Sequence, residues 1–489
     1  MKSPISNIRT TFAAGTIAAT IVILLALLSV GCAVTPPVIE PVATPDEYIF
    51  AQEGDTTLIV GVGWWEIFGD TTLNRLVAIA VENNSDVRVA ASRLLQARSS
   101  LTATKGSLLP SLGVGLGAQA TYSEGSDGRK SIGQQYSLLP TISWEVDLFG
   151  GISGATEAAR ADVLATEWGY RATMLALQAE VAQAYFQWLQ YARCEEICRR
   201  SLALREESQA RVDSLYLYGF ASGSDRQQAR ALTATIAADI QSYSRSKLQA
   251  NISLCTLLGV EPMLLPPPPH SKECEHSRAA NLDGLYCGHL TAAPLPVSVS
   301  AGLPSALLER RPDVMEAFYR VEAAAAKTKV AHARRLPSFA LTAEGGLLAY
   351  SLKGLTAHNP LYWLASANLT QPLLNFGQLR AEEEVAVEAW RQAALDYRQS
   401  VIEALAEVEN ALIAIDTYNL QAAENLRLLE ANAKVQQMTA ALQADGMVSY
   451  FNYVDAEYDL YSSQLGYVQL MAEQLSAYVS LYKALGGGW

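Results

Sequence analysis

The chain has no basic surplus: its 36 lysines and arginines stand among 49 acids in 489 residues, for a net charge of -13. Without a local concentration of positive charge, that balance excludes a nucleic-acid binder. Histidine is scarce at 5 residues and methionine at 7, so no ladder of metal-binding side chains runs along the chain. GxSxG nucleophile turns, GxxxxGK[ST] phosphate loops, HExxH and dinucleotide fingerprints are all missing. The many acids fall on helical surfaces with no apolar pocket implied, which sets up no pair for acid–base work. An enzyme is therefore not expected, and no catalytic residue, metal or cofactor is assigned. Long hydrophobic runs are missing too, except at the beginning. After residue 31 no uncharged apolar stretch reaches the roughly eighteen residues of a spanning helix. Any passage through a bilayer must then use strands.

The opening segment carries Lys2 and Arg9 and then an almost uncharged run to Gly31, greasiest at IVILLALL (21–28), followed by Cys32. It reads as a secretory signal over 1–31, with a retained membrane helix as the alternative. It resembles a lipoprotein signal, which implies that Cys32 becomes the first mature residue and carries a diacylglycerol and an acyl chain. Ala33 in place of an aspartate implies delivery to the outer membrane. Residues 32–61 are Pro-rich (TPPVIEPVATP) with no sustained period and read as an extended tether.

The most informative feature is a duplication. Asp86-Val87 matches Asp313-Val314, Leu109-Pro110-Ser111 matches Leu336-Pro337-Ser338, and Phe149-Gly150 matches Phe376-Gly377. Gly219 matches Gly446, and Leu258-Gly259 matches Leu485-Gly486. Every pair is 227 positions apart. Landmarks that keep register this way mark two equivalent halves. We divide the mature chain into a first repeat over 62–259, an insertion over 260–302, and a second repeat with a tail over 303–489.

Each half has one internal order. Residues 71–107 read as helix, with Leu73, Leu76, Val77 and Ala80 returning to one face, and Pro110 as the stop. Strands are expected over 112–124 and 134–150, then over 338–350 and 361–377. Ile142, Trp144, Val146 and Leu148 alternate with Thr141, Ser143, Glu145 and Asp147, although Leu364, Ala365 and Ala367 alternate less cleanly. Such lengths suffice to cross a bilayer when tilted. Four strands cannot close a barrel, and open sheet edges are intolerable in lipid, so copies of the chain must pool their strands. A soluble sheet is the alternative reading. Residues 151–218 and 378–445 contain no proline, and each run as helix would extend about 100 Å. Small residues at helical spacing, such as Ala158, Ala161, Ala165, Ala179 and Ala182, permit close helix packing. Gly219 and Gly446 then turn the chain into return helices over 222–258 and 448–485.

Four segments resemble the TolC and OprM family of outer-membrane factors, in its lipidated multidrug branch: WEVDLFG (144–150), LPSALLERRPDV (303–314), QPLLNFG (371–377) and YKALGGGW (482–489). The resemblance implies a mixed, mostly α fold in which three chains form a transmembrane β-barrel, four strands each, continued by a long periplasmic α-helical barrel. It implies a lipid-anchored outer-membrane protein lying mostly in the periplasm, with a periplasmic adaptor and an inner-membrane pump, expected to be proton-driven, as partners. The implied function is a passive exit duct for small toxic compounds in a tripartite efflux system. Protein secretion, metal efflux and a non-channel helical lipoprotein stand as alternatives.

The resemblance also implies a gate. Asp225, six residues after Gly219, and Asp455, nine after Gly446, match constriction acids; the competing reading is two solvated helix acids. Val448 and Asn452 stand where some members carry an arginine lock and another acid. Arg310 and Arg311 read as structural donors at a helix start, with Pro312 at a first helical position and Asp313 beside the positive helix end.

Cys194 and Cys198, one helical turn apart, read as packing residues, with metal binding as the alternative, and Cys255 reads as core. Cys274-x-His276 and Cys287-x-His289 leave three readings open: a disulfide between Cys274 and Cys287, two free thiols, or a metal site. His332 and His358 have no sequence-local partner.

Overall fold

The computed structural model describes residues 44–45, 48–50, 63–124, 130–264, 304–355 and 361–487. The signal, Cys32, most of the tether, His358 and the segment carrying Cys274 and Cys287 lie outside the described residues. Among them the order is α1 (Thr71–Asn83), α2 (Ser85–Gly106), β1 (Ser111–Glu124), β2 (Lys130–Val146), α3 (Gly151–Leu217) and α4 (Gly223–Leu257). The second half follows with α5 (Pro304–Arg310), α6 (Pro312–Ala333), β3 (Ser338–Ala349), β4 (Leu361–Thr370), α7 (Gln378–Ala444) and α8 (Tyr450–Ala484). No described helix is long and apolar enough to cross a membrane.

The chain forms two compact units, and each draws residues from both repeats. One contains residues 100–161 and 321–394; the other contains the described parts of 41–99, 162–320 and 395–489. The first unit holds one antiparallel sheet in the order β1-β2-β3-β4.

The second unit holds the apolar core. Tyr185, Phe186 and Trp188 of α3 pack with Trp64, Phe68, Leu73 and Val77, and with Leu254 and Tyr478. A second cluster gathers Val314, Val401, Ala404, Val408 and Leu481 around Tyr48. The Ile49 and Phe50 amides there donate to the Glu409 carboxylate at 2.7 and 3.2 Å, which fastens this part of the tether to α7.

Three expected boundaries are corrected. Residues 71–107 are two helices, because Asn84 is extended (φ -60°, ψ 131°) and its side chain accepts from the Asp86 and Val87 amides. A short amide side chain competes with helix continuation in this way and becomes a cap. The strand expected over 134–150 runs instead from Lys130 to Val146. Asp147 leaves the ladder to accept from the Ile152 and Ser153 amides at 3.0 and 2.7 Å, capping α3. The strand expected to reach 377 stops at Thr370, before Pro372, which has no ladder donor.

Candidate functional site

Register sorts the sheet into two chemically different faces. Leu112 pairs with Ile142, Ile142 with Ala343, and Ala343 with Ala365; Leu116 connects through Leu138 and Leu347 to Leu361. Trp144, Leu341 and Ala367 form a third row on that face, and Phe339 pairs with Leu369. The opposite face carries Gly113, Thr141, Glu344, Ser143, Thr342 and Ser366 in the intervening rows. The less clean pattern of β4 is thereby explained: Ala365 and Ala367 belong to the apolar face and Leu364 to the other.

Both faces are largely exposed within one chain. Leu116 is 84% and Trp363 76% exposed, and an apolar face of this kind marks a surface that lipid or protein covers. The outer edges of β1 and β4 have no partner strand among the described residues. An apolar band ending in two unpaired edges can be placed in lipid only if other strands close it.

In the second unit the hairpin turns end in Schellman geometry. Gly219 and Gly446 sit at φ 79° and 72°. The Phe220 amide donates back to Leu215 and the Met447 amide to Leu442. Glycine takes this left-handed conformation without a Cβ penalty. Around the turns Leu217, Tyr218, Phe220 and Met447 are 73–82% exposed.

The two candidate gate acids differ in what they do locally. Asp225 is the third residue of α4, and its carboxylate accepts from the Ser222 amide at 2.9 Å while Ser222 caps the helix. Asn452 takes the equivalent place in α8, bonded to Ser449. Asp455 is exposed between buried Val454 and Ala456. No hydrogen bond joins Asp225 to Asp455.

Sequence reasoning missed Arg226. It donates to Asp213 at 2.6 Å and lies 5.0 Å from the Tyr216 ring centroid, tying α3 to α4 beside the first turn. The hydrogen bond from Arg226 holds the Asp213 carboxyl below its ordinary value. The only signal was its place, seven residues beyond Gly219.

Arg310 and Arg311 part company. Arg310 is exposed. Arg311 is 6% exposed, donates to Asp313 at 2.6 and 3.0 Å and to Glu407 at 2.6 Å, and reaches the Ala484 carbonyl at 3.1 Å. Burial alone would raise Asp313, but its bonds to Arg311 and the Val314 amide prevail and lower it. Pro312 is the first residue of α6.

Cys194 and Cys198 are buried among Ile236, Ile240, Leu429 and Tyr461, and Cys255 lies beside the Met263 carbonyl. His332, without a nearby partner in sequence, meets Glu383 at 2.8 Å across from α7. No group of three or more metal-ligating side chains occurs among the described residues. A cavity of about 1090 Å³ in the second unit is lined by polar groups including Glu180, Gln183, Gln187, Gln190, Glu473 and Ser476.

The family model described as outer membrane efflux protein matches residues 76–260 and 303–487, two stretches displaced by the same 227 positions as the repeat. The chain is 31% identical over 431 residues to the toluene efflux pump outer membrane protein TtgC of Pseudomonas putida, covering 87% of this chain and 85% of that protein. It is 30% identical to the cation efflux system protein CusC of Escherichia coli O6:H1, covering 95% of this chain and 97% of that one. The solved structure of the outer-membrane channel OprN superposes with a TM-score of 0.82 at 26% identity, covering 94% of this chain and all of the other.

Proposed function

This chain belongs to the outer membrane efflux protein family, and from that premise we propose that it is a passive duct for small toxic organic compounds, lipid-anchored through Cys32. It is an outer-membrane channel component of a tripartite efflux system, working as a homotrimer with a periplasmic adaptor and an inner-membrane pump. The observation that carries the channel reading is the four-stranded sheet with one apolar face and two open edges. Three such sheets joined edge to edge satisfy every backbone group in lipid and leave the polar face lining a passage.

Similarity to a toluene efflux protein supports organic substrates. Similarity to CusC, a cation efflux protein, supports a second reading, export of metal ions. Substrate selection then rests with the pump, for which a proton-driven type is proposed, and this chain supplies diameter and charge. The duct performs no catalytic step. The exposed turn residues Leu217, Tyr218, Phe220 and Met447 offer the adaptor an apolar seat.

Asp225 and Asp455 are proposed as the acids of the periplasmic aperture. Carboxylates gathered about a threefold axis repel one another and attract cations. Asp225 also serves as a helix cap, so Asp455 is the cleaner test. In planar bilayers the purified trimer, its mass measured in the same preparation, should give discrete cation-preferring currents. Asp455→Ala should change conductance or leak while trimer yield stays normal. An unchanged current removes Asp455 from the gate; a monomer without conductance or barrel signature defeats the channel reading.

A further inference from the structure

The first turns of α8 are held against α3 by a buried ion pair whose geometry is incomplete. Arg205 is 3% and Glu457 8% exposed, and Arg205 Nε stands 3.6 Å from Glu457 Oε2. That separation is too long for a hydrogen bond. Among the described residues, Arg205 Nε and Nη1 and Glu457 Oε2 have no hydrogen-bond partner. Two bonds that are made define the arrangement. Arg205 Nη2 donates to the Val454 carbonyl at 2.9 Å, and the Tyr453 hydroxyl donates to Glu457 Oε1 at 2.7 Å.

Arg205 therefore reaches α8 at positions 454 and 457, on either side of Asp455. A helical side chain's direction is set by the rotation of its own helix. With Val454, Ala456 and Glu457 turned into the protein, Asp455 is turned out of it. Two buried charges left short of full hydrogen bonding form a costly way to join helices if joining were the whole purpose, since an apolar pair would do it at least as well. What an arginine adds is a directional hold on one carbonyl and one carboxylate. Sequence reading singled out neither residue, because neither lies near a turn glycine or in a family segment.

The geometry points to Arg205 and Glu457 as positioning residues for the aperture, fixing the rotation of α8 that presents Asp455. This inference rests on the gate reading of Asp455. The pair touches no permeating molecule and acts only through the helix it holds.

The test is single-channel recording in potassium chloride on full-length trimers in planar bilayers, with thermal unfolding and oligomer mass measured on each variant. Removing one charge would strand the other in the interior, so the informative variant removes both: Arg205→Met with Glu457→Gln. It should remain a trimer of near-normal stability, yet its conductance or cation preference should change by about twofold or more, in the direction that Asp455→Ala takes. Adding Asp455→Ala to the pair should produce little further change, because both act on one element. Arg205→Lys with Glu457 retained, which keeps a positive charge facing the Glu457 carboxylate, should keep more of the native current than the double variant does.

Unchanged currents in the double variant, with Asp455→Ala active, overturn the positioning role and leave the gate reading intact. Unchanged currents in Asp455→Ala remove the gate reading and this inference with it. Loss of the trimer in the double variant would make the pair a folding element and overturn the inference as well.

Discussion

Asn84 and Arg311 occupy equivalent positions in the two halves and perform the same task. Asn84 Nδ2 donates to the Leu257 carbonyl at 2.9 Å, and Arg311 Nη1 donates to the Ala484 carbonyl at 3.1 Å. Donors and acceptors alike are 227 positions apart. Each interrupts a helix and secures the last residue of a returning one, α4 in the first half and α8 in the second. The duplication thus survives as a hydrogen bond even where the side chain has changed completely.

The glycines beside those bonds are predicted to be irreplaceable. Gly259 and Gly486 sit at φ 66° and 91°, and a Cβ there would stand 2.6 Å from the Asn83 oxygen and 2.9 Å from the Arg310 oxygen. Gly219 has a similar φ of 79° with nothing within 4 Å of its Cβ position. Gly219→Ala should therefore lose only the left-handed backbone term, about 1–2 kcal/mol. Gly259→Ala and Gly486→Ala should lose clearly more, because backbone must also move. Chemical unfolding of the three variants checks the ranking; equal losses would show that the close approach is easily relieved.

A second prediction separates neighbouring arginines. Arg311→Ala removes the buried donor of the Ala484 carbonyl and of the half-exposed Asp313 and Glu407 carboxylates, a loss of about 1.5–3 kcal/mol for hydrogen bonds to a charged group. Arg310→Ala removes an exposed side chain and should stay within about 0.5 kcal/mol. Thermal melts of both proteins decide it, and similar losses would refute the division of labour.

The paired arginines also show what the sequence could and could not tell. Their structural role was readable from Pro312 and Asp313, because helix-start chemistry is local. Which of the two turned inward was not, since Glu407 and Ala484 come from distant elements. The duplication, the strand positions and the turn glycines were legible because they rest on spacing and on backbone conformation. The break at Asn84 was hidden because the apolar period runs on through it. Asp225 was visible by its place six residues after Gly219, but its cap to Ser222 was not foreseen, and one carboxylate serves equally as a cap and as a gate acid. His332 with Glu383 and Arg205 with Glu457 were invisible, as their partners lie 51 and 252 residues away.

The two faces of the sheet should respond oppositely to charge. Leu138 lies in the apolar row with Leu116, Leu347 and Leu361, whereas Gln135 pairs with Gln119 on the other face. Leu138→Arg should destabilise the membrane-inserted trimer by about 2–4 kcal/mol if the row lies near the bilayer midplane. Gln135→Arg should insert normally and shift the channel away from cations. Heat-modifiable gel migration and reversal potentials measure the two effects; the reverse pattern would invert the assignment of faces.

Acid should loosen the second unit through Glu195. Its side chain is 5% exposed and is paired with Lys247 and Arg199. Burial alone would raise its pKa, but the bonds from Lys247 and Arg199 prevail and lower it. A carboxyl whose folded pKa is depressed contributes stability that is complete above its unfolded pKa and is lost as pH falls through the folded one. Glu195→Gln should therefore lower the melting temperature at neutral pH, and the gap from the native protein should narrow on acidification below the ordinary carboxylate range. A gap that stays constant with pH would remove Glu195 from the acid limb.

Cys194 and Cys198 should be chemically silent in the folded trimer. Burial pushes the Cys194 thiol up to about 12, with the neighbouring Cys198 adding to the shift, and burial raises Cys198 as well. The thiolate is the reactive form, so both desolvation and lack of access oppose attack. An intact helical turn between them also disfavours a disulfide, even in an oxidising compartment. Iodoacetamide followed by peptide mass mapping should find both residues unmodified in the native protein and both alkylated after denaturation without reductant. Labelling of either in the folded trimer at the rate of a free thiol would mean that the four-helix packing around Tyr461 opens on the experimental timescale. Recovery of a Cys194–Cys198 disulfide would require that α3 unwind at this turn.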